Sequence, residues 1–337
     1  MSSKVRHLAK LQCEYIYMYA VFLCLVYVGS LCANYSIVFI HIGDEVPSYT
    51  DVAIQQARLF NPKAHIILLA SDQGLNRFAC MQQEQNIELC SYDRLPKTVL
   101  HQQYQERCVE RSAFWRFTSE RFLYLWDLMA HQNLEAVFHL ENDNMLYVDL
   151  DRLLPLFRTY YPKIGATFDN EERCIPGFVW IADGEAMEGL AKYFVQHAQE
   201  RLSDMSVIGK YRQEYVGLKI DGLPIVMPEY STIHTLRSPM HHTTRRPHVY
   251  SQHCEVFGGI FDAAAIGQFL GGIDPIHGNS QPGFINESCL FNPAWLRYQW
   301  EIDGQGRKVL YAKSVGLGYP VFNLHVHSKK LSQFKSF

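Results

Sequence analysis

The chain has 337 residues, enough for one large α/β domain or two small ones. Hydrophobic residues at 48% and charged residues at 19% describe a globular protein, and a formal net charge of −3 argues against a general nucleic-acid surface. Nine cysteines without a C-x-x-C pair argue against structural zinc.

Lys4, Arg6 and Lys10 precede an uncharged apolar run over residues 15–33. Its length and basic flank suit a membrane-spanning anchor, and Ser30 or Ala33 equally suit cleavage of a secretory signal. Residues 1–33 are therefore read as a signal peptide or signal-anchor. Either reading implies the secretory pathway or cell envelope, with membrane association if the segment is kept. Cys80, Cys90, Cys108, Cys174, Cys254 and Cys289 lie beyond it, where disulfides and buried thiols are both open.

Short β-rich runs at 36–42, 64–70 and 86–92 alternate with helical stretches, a pattern of parallel βαβ units. Residues 110–130 form the clearest amphipathic helix, with Phe114, Phe117, Phe122, Leu125, Leu128 and Met129 at helical spacing for core packing. Arg111, Arg116 and Arg121 lie elsewhere on its surface, as an ion-paired face or as contacts to a substrate phosphate. A strand at 136–140 then ends in Glu141-Asn142-Asp143-Asn144. Strands follow at 163–168 and 177–182, and Asp183 caps a helix reaching to about residue 199. The stretch 200–256 reads as less regular, polar and His-rich, with a long loop at 239–248. Gly258-Gly259 precede a helix capped by Asp262, and this pair marks a tight turn or close approach to a ligand. A hairpin brackets Asp303-Gly304-Gln305-Gly306, and the run 320–331 carries His325 and His327 on one side.

The cluster at 141–144 carries the chemistry. Ligands bind at the carboxyl edge of open α/β sheets, and that is where these carboxylates fall. Glu141 and Asp143 are hard oxygen donors suited to Mg²⁺ or Mn²⁺; the plainer alternative is a polar turn. A cation there would neutralise a diphosphate and make it a better leaving group. Glu287, in a loop after the Gly-Gly segment, reads either as a base that takes a proton from an acceptor hydroxyl or as an ordinary surface carboxylate. Asn286-Glu287-Ser288 and Asn34-Tyr35-Ser36 are also glycosylation sequons. His241, His242, His248 and His253 lack zinc-site spacing and read as a loop near the acceptor cleft or as plain surface.

These features together resemble a glycosyltransferase of the GT-A fold, in the nucleotide-diphospho-sugar transferase superfamily. The resemblance rests on the opening α/β half, the strand "VFHL" running into a DxD-like "END", the Gly-Gly segment and the late histidine, over residues 36–331. It implies a Rossmann-related, mixed but mainly parallel sheet flanked by helices. One catalytic domain would span 34–331, with a nucleotide-binding half at 34–150 and an acceptor and sugar half at 151–331. It implies a nucleotide-sugar donor, metal ligation by Asp143, Glu141 and His325, and donor contacts from Glu141, Asp143, Arg111, Arg116, His327 and Lys329, with His327 as substitute ligand. An imidazole ligand tilts the metal toward Mn²⁺ over Mg²⁺. The sequence departs from strict DxD in carrying Glu141 at the first position. The rivals are a nucleotidyltransferase, which usually needs a glycine-rich basic loop where this chain has Asp44 and Glu45, and a carbohydrate-binding protein with a degenerate site.

Overall fold

The computed structural model describes residues 34–108, 112–278, 280–314 and 316–337. The N-terminal apolar run, its three cysteines and Arg111 lie outside the described residues. Among the described residues no helix is long and apolar enough to cross a membrane.

Strand β1 (Ser36–Ile40) is an apolar, β-branched run buried along its whole length. Such a strand needs cover on both faces, which is the condition that favours parallel sheets with helical crossovers. The chain supplies helix α1 (Tyr49–Phe60), β2 (His65–Ala70), β3 (Ile87–Ser91), α2 (Val99–Arg107), α3 (Ala113–Gln132), β4 (Val137–Leu140) and β5 (Asn144–Leu146). After α4 (Leu150–Tyr160) come β6 (Ile164–Phe168), β7 (Cys174–Ile181), α5 (Gly184–Gln196), α6 (Asp204–Tyr215) and β8 (Ile220–Gly222). Helix α7 (Ala265–Gly271) precedes β9 (Arg297–Ile302), β10 (Lys308–Ser314), β11 (Leu317–Pro320) and β12 (Asn323–His325).

The main sheet has the order β3-β2-β1-β4-β7-β6-β8. Its pairs are parallel except those made by β7, which runs against both β4 and β6. The expected α/β class, with a mixed and mainly parallel sheet flanked by helices, is what the structure has. Phe138 on β4 packs its ring on Tyr35, Phe157, Phe178 and Trp180, with centroids 4.8–5.8 Å apart. That packing anchors the strand whose carboxyl end carries the acidic cluster.

One expectation needs correction. The stretch 200–256 is not irregular throughout, because it holds α6 and β8. Helix α6 shows little apolar stripe in sequence, yet Ser203 caps it by accepting from Ser206 N, and Val207, Ile208 and Tyr211 are buried. Of the two readings of Gly258-Gly259 the structure has the tight turn: Gly258 ends a short helix at φ +69°, and a Cβ on Gly259 would lie 2.3 Å from the Phe322 ring. The six described cysteines are unpaired, four of them buried. The expected hairpin is present as β9 and β10, paired from Ile302 against Lys308.

Helix α3 is fastened to α2 through buried His101. Its Nδ1 meets Asp127, its Nε2 lies 3.2 Å from Glu120, and Asp127 also accepts from Thr98 N at 2.8 Å. Burial alone would favour the neutral ring, but the two carboxylates outweigh it and raise the His101 pKa. The charged ring therefore stabilises the fold below its unfolded value of about 6.5, and that contribution is lost as pH rises through the raised folded value. The stability advantage of the wild type over His101→Gln is expected to be largest at acid pH and to shrink as the pH climbs above about 6.5. Calorimetric melting of both proteins across that range checks this, and a pH-independent difference would contradict it.

Candidate functional site

Where β4 ends, Glu141 N donates to Gly177 O at 3.0 Å and Asn144 N closes back on Glu141 O at 2.9 Å. This tight turn sends β5 out of the main sheet to pair antiparallel with β12, with His325 opposite Asn144. Val326 N also donates to Asp143 O at 2.9 Å. Glu141, Asp143 and His325, separated by more than half the chain, thereby offer ligand atoms that all lie within 4.8 Å of one another. His325 Nε2 stands 3.2 Å from both Glu141 Oε2 and Asp143 Oδ2. Two carboxylates and an imidazole converging so closely are a donor set that fits Mg²⁺ or Mn²⁺.

The supports are as specific as the ligands. Asn144 Nδ2 donates to Gly177 O at 2.6 Å, and Asn323 Nδ2 donates to Asn144 Oδ1 at 3.1 Å. Buried Asp262 accepts from Ile266 N, Gly267 N and His325 N at 2.9–3.0 Å, so it caps α7 as expected and also holds the histidine's backbone. Asn142 Nδ2 donates to Ile40 O at 3.1 Å and ties the turn to the end of β1.

Electrostatically the cluster is balanced within itself. Arg121, on the buried side of α3, pairs with Glu141 and, at 2.7 Å, with Asp204. Lys329 pairs with Asp143. Burial opposes ionisation of Asp143, but His325 and Lys329 hold its pKa well below the usual carboxylate range. Glu141 is lowered too, burial being outweighed by Arg121 and His325. Burial pushes the Asp204 carboxyl up, with Arg121 opposing. His325 is raised to about 9, since Asp143 and Glu141 outweigh the effect of burial. His327 goes the other way, to about 4, through burial and then the charges of His325 and Lys329. Its Nδ1 accepts from Asp274 N at 3.0 Å, which places the proton of the neutral ring on Nε2. A protonated Nε2 is a hydrogen-bond donor and not a ligand, so His327 does not ligate in this tautomer, and His325 must release its own Nε2 proton before it can hold a cation.

Around the cluster lies a cavity of about 640 Å³. Glu141, Asp143, His325, His327 and Lys329 all line it. Arg116 does not; it pairs with Glu120 at 3.5 Å. Arg121 lines it instead, with Phe117 and Thr118 of the same helical turn. Glu287 is exposed and outside the cavity lining, with its backbone carbonyl bonded to Met240 N. Its neighbour Asn286 lines the cavity instead, buried, with Oδ1 accepting from Arg173 and Ser288 N. Phe114 is exposed and Phe117 partly so, and both line the cavity, unlike the buried Phe122, Leu125, Leu128 and Met129. Residues 241, 242, 248 and 253 contribute nothing to the lining. Sequence reasoning missed Asp204 at the start of α6 and Gln268 on α7. The Ser203-Asp204 capping pair was the available signal for the first.

No protein-family model matches the chain, and no curated protein matches it in sequence. Among solved structures, mouse xyloside xylosyltransferase 1 in its apo form superposes with a TM-score of 0.43 at 12% identity, over 66% of this chain and 92% of that one. PaToxG glycosyltransferase gives 0.41 at 12% identity, over 54% and 69%. A cytidylyltransferase from Leptospira borgpetersenii gives 0.37 at 10% identity, over 57% and 76%. At scores below 0.5 this likeness adds no weight to the functional reading, which rests on the site itself.

His325 packs directly against Gly177: a Cβ there would lie 2.7 Å from His325 Nδ1 and 2.8 Å from Asn144 Nδ2. Gly177→Ala is therefore expected to push the imidazole off the carboxylates and weaken binding of a divalent cation by about 10–100-fold, as losses of supporting contacts do. Titration with Mn²⁺ followed by electron paramagnetic resonance checks this, with unchanged affinity as the contrary result.

Proposed function

We propose that the chain is a glycosyltransferase that moves a sugar from a nucleotide-diphosphate donor to a hydroxyl acceptor. The observation that carries this reading is the convergence of Glu141, Asp143 and His325 within 4.8 Å, in a cavity at the carboxyl edge of a parallel sheet. Asp143 and His325 would hold a divalent cation with Glu141 beside them, and Mn²⁺ suits the imidazole better than Mg²⁺. When bound, the cation would offset the charge that builds on the departing diphosphate. The nucleotide would sit on the half formed by residues 34–150, and the sugar and acceptor on the half formed by 151–331. The uncharged N-terminal run would place this activity in the secretory pathway or cell envelope.

The chain's own groups divide the remaining work. Lys329 Nζ and the His327 Nε2–H are donors suited to phosphate oxygens. As the bond from the anomeric carbon to the diphosphate breaks, its electron pair leaves with the diphosphate. The acceptor oxygen forms the new bond and gives up its proton. Asp204 replaces Glu287 as the carboxylate for that proton, because it lines the cavity and burial raises its basicity. Arg121, shared by Glu141 and Asp204, keeps the two acids in place. The loop after β1, "HIGDEVPS", has no lysine or arginine and gives a nucleotidyltransferase no triphosphate grip.

One contact favours a second version of the reaction. Lys329 already pairs with Asp143, so its ammonium can serve as a built-in cation. Incubation with a panel of nucleotide sugars, with Mn²⁺ or with EDTA, separates the two by the rate of donor hydrolysis. Asp143→Ala is expected to cut turnover by about 10²–10³-fold or more while circular dichroism stays native. Loss of the rate in EDTA fits the cation. A rate indifferent to EDTA but lost in Lys329→Ala fits the lysine, and no turnover with any donor would overturn the enzyme reading.

A further inference from the structure

The cavity has a wall that the donor chemistry leaves unused. Helix α3 buries its later apolar residues, yet at its start Phe114 and Trp115 are 60% and 40% exposed. Their rings meet edge to face with centroids 5.0 Å apart, and both line the cavity. Two adjacent aromatic faces presented to a cavity are a surface built for contact, since aromatics bring large apolar area in a fixed geometry.

The polar lining of the same cavity is unusual in its charge balance. Arg173 is gripped by buried Asp169, with Nε 3.1 Å from both carboxylate oxygens and Nη2 bonded as well. Its Nη2 also donates to Asn286 Oδ1 at 3.3 Å. Asp169 cancels the charge and fixes the plane of the guanidinium. Asp169 and Asn286 take up the Nε and Nη2 hydrogens, so the donors left for a ligand are those of Nη1, on a guanidinium whose charge Asp169 balances: a poor trap for an anion and a good one for hydroxyl oxygens. Gln268, also lining the cavity, is 9% exposed and its Oε1 has no hydrogen-bond partner. A buried carbonyl oxygen left this way costs free energy until a donor reaches it.

An apolar aromatic face, the remaining N–H donors of a charge-balanced guanidinium and an orphaned acceptor select a ligand with a C–H face and several hydroxyls that both donate and accept. A phosphate lacks the donors, and an acyl chain lacks the polar partners. A pyranose ring has all three features. We propose that Phe114, Trp115, Arg173, Asn286 and Gln268 form a saccharide subsite for the acceptor, so that the hydroxyl glycosylated belongs to another sugar. This rests on the transferase reading above for the word acceptor, but not for the binding itself.

The test is saturation-transfer difference NMR on the full chain with methyl β-D-glucopyranoside, methyl β-D-galactopyranoside and methyl β-D-xylopyranoside. It runs alongside calorimetry with UDP and GDP in Mn²⁺. Ring C–H protons of at least one glycoside should receive saturation, and Trp115→Ala should weaken that binding about tenfold. Phe114→Ala should act in the same direction; both side chains are exposed, so both variants should fold. Nucleoside-diphosphate binding should survive Trp115→Ala and fail in Asp143→Ala. Loss of diphosphate binding in Trp115→Ala would assign the rings to the nucleobase and overturn the proposal. So would diphosphate binding with no glycoside binding, or Trp115-dependent binding of a serine- and threonine-containing peptide in place of the glycosides. Trp115-dependent glycoside binding without diphosphate binding would keep the subsite and overturn the transferase reading instead.

Discussion

The pairing of β5 with β12 brings His325 beside Asp143, and three residues of ladder are too few to hold two strands by themselves. Asp262 supplies what the ladder lacks. Its buried carboxylate accepts three backbone N–H groups, one of them from His325, and its own N–H donates to Asn323 Oδ1 at 3.1 Å. Asp262 thereby ties the start of α7 to the end of β12, and Asn323, whose Nδ2 donates to Asn144 Oδ1 at 3.1 Å, carries the tie to the turn after β4. Gly267 permits the approach, because a Cβ there would sit 2.0 Å from the His325 carbonyl oxygen. Burial raises the Asp262 pKa, with the three backbone donors and His325 opposing. The carboxylate therefore depends on all of its donors at once, and the geometry of the site follows from that dependence.

The second constraint is charge. Asp143 and Asp204 are buried acids and Glu141 a half-buried one, and Arg121, His325 and Lys329 are the bases that make their burial tolerable. A network balanced in this way resists removal of any one member, since each loss strands an opposite charge away from water. On the proposed function, a cation held by the acids would release Lys329 from Asp143 and leave its ammonium beside the His327 donor for a diphosphate.

Much of this was legible in the residues. Apolar β-branched runs of four to seven residues between helical stretches gave the parallel half of the sheet, and the polar break after Leu140 marked its functional edge. The partnership of Asp143 with His325 was not in the spacing of the chain. It came from the resemblance, and the structure accounts for it through β12. What stayed hidden were choices made by tertiary packing. Which arginine of α3 enters the cavity depends on how the helix is rotated against the sheet, and Arg121 was selected over Arg116 for that reason. Glu287 and Asn286 differ by one position, and in a loop no periodicity says which of them turns inward. Phe114 follows the apolar spacing of α3 but lies where the helix runs past the core, so the same pattern that marks Phe122 as buried fails there. Helix α6 was missed because its capping serine and few buried residues sit in a polar sequence, and with it went Asp204.

The central claim is that the acidic end of β4 and the late histidine form one cation site for a nucleoside diphosphate. Anomalous diffraction from crystals soaked with Mn²⁺ and UDP or GDP tests it most directly. The account predicts a manganese peak within bonding distance of Asp143 and His325, with diphosphate oxygens on the same ion and Lys329 moved off Asp143. A peak elsewhere in the chain, or a diphosphate bound away from this cluster, would contradict it.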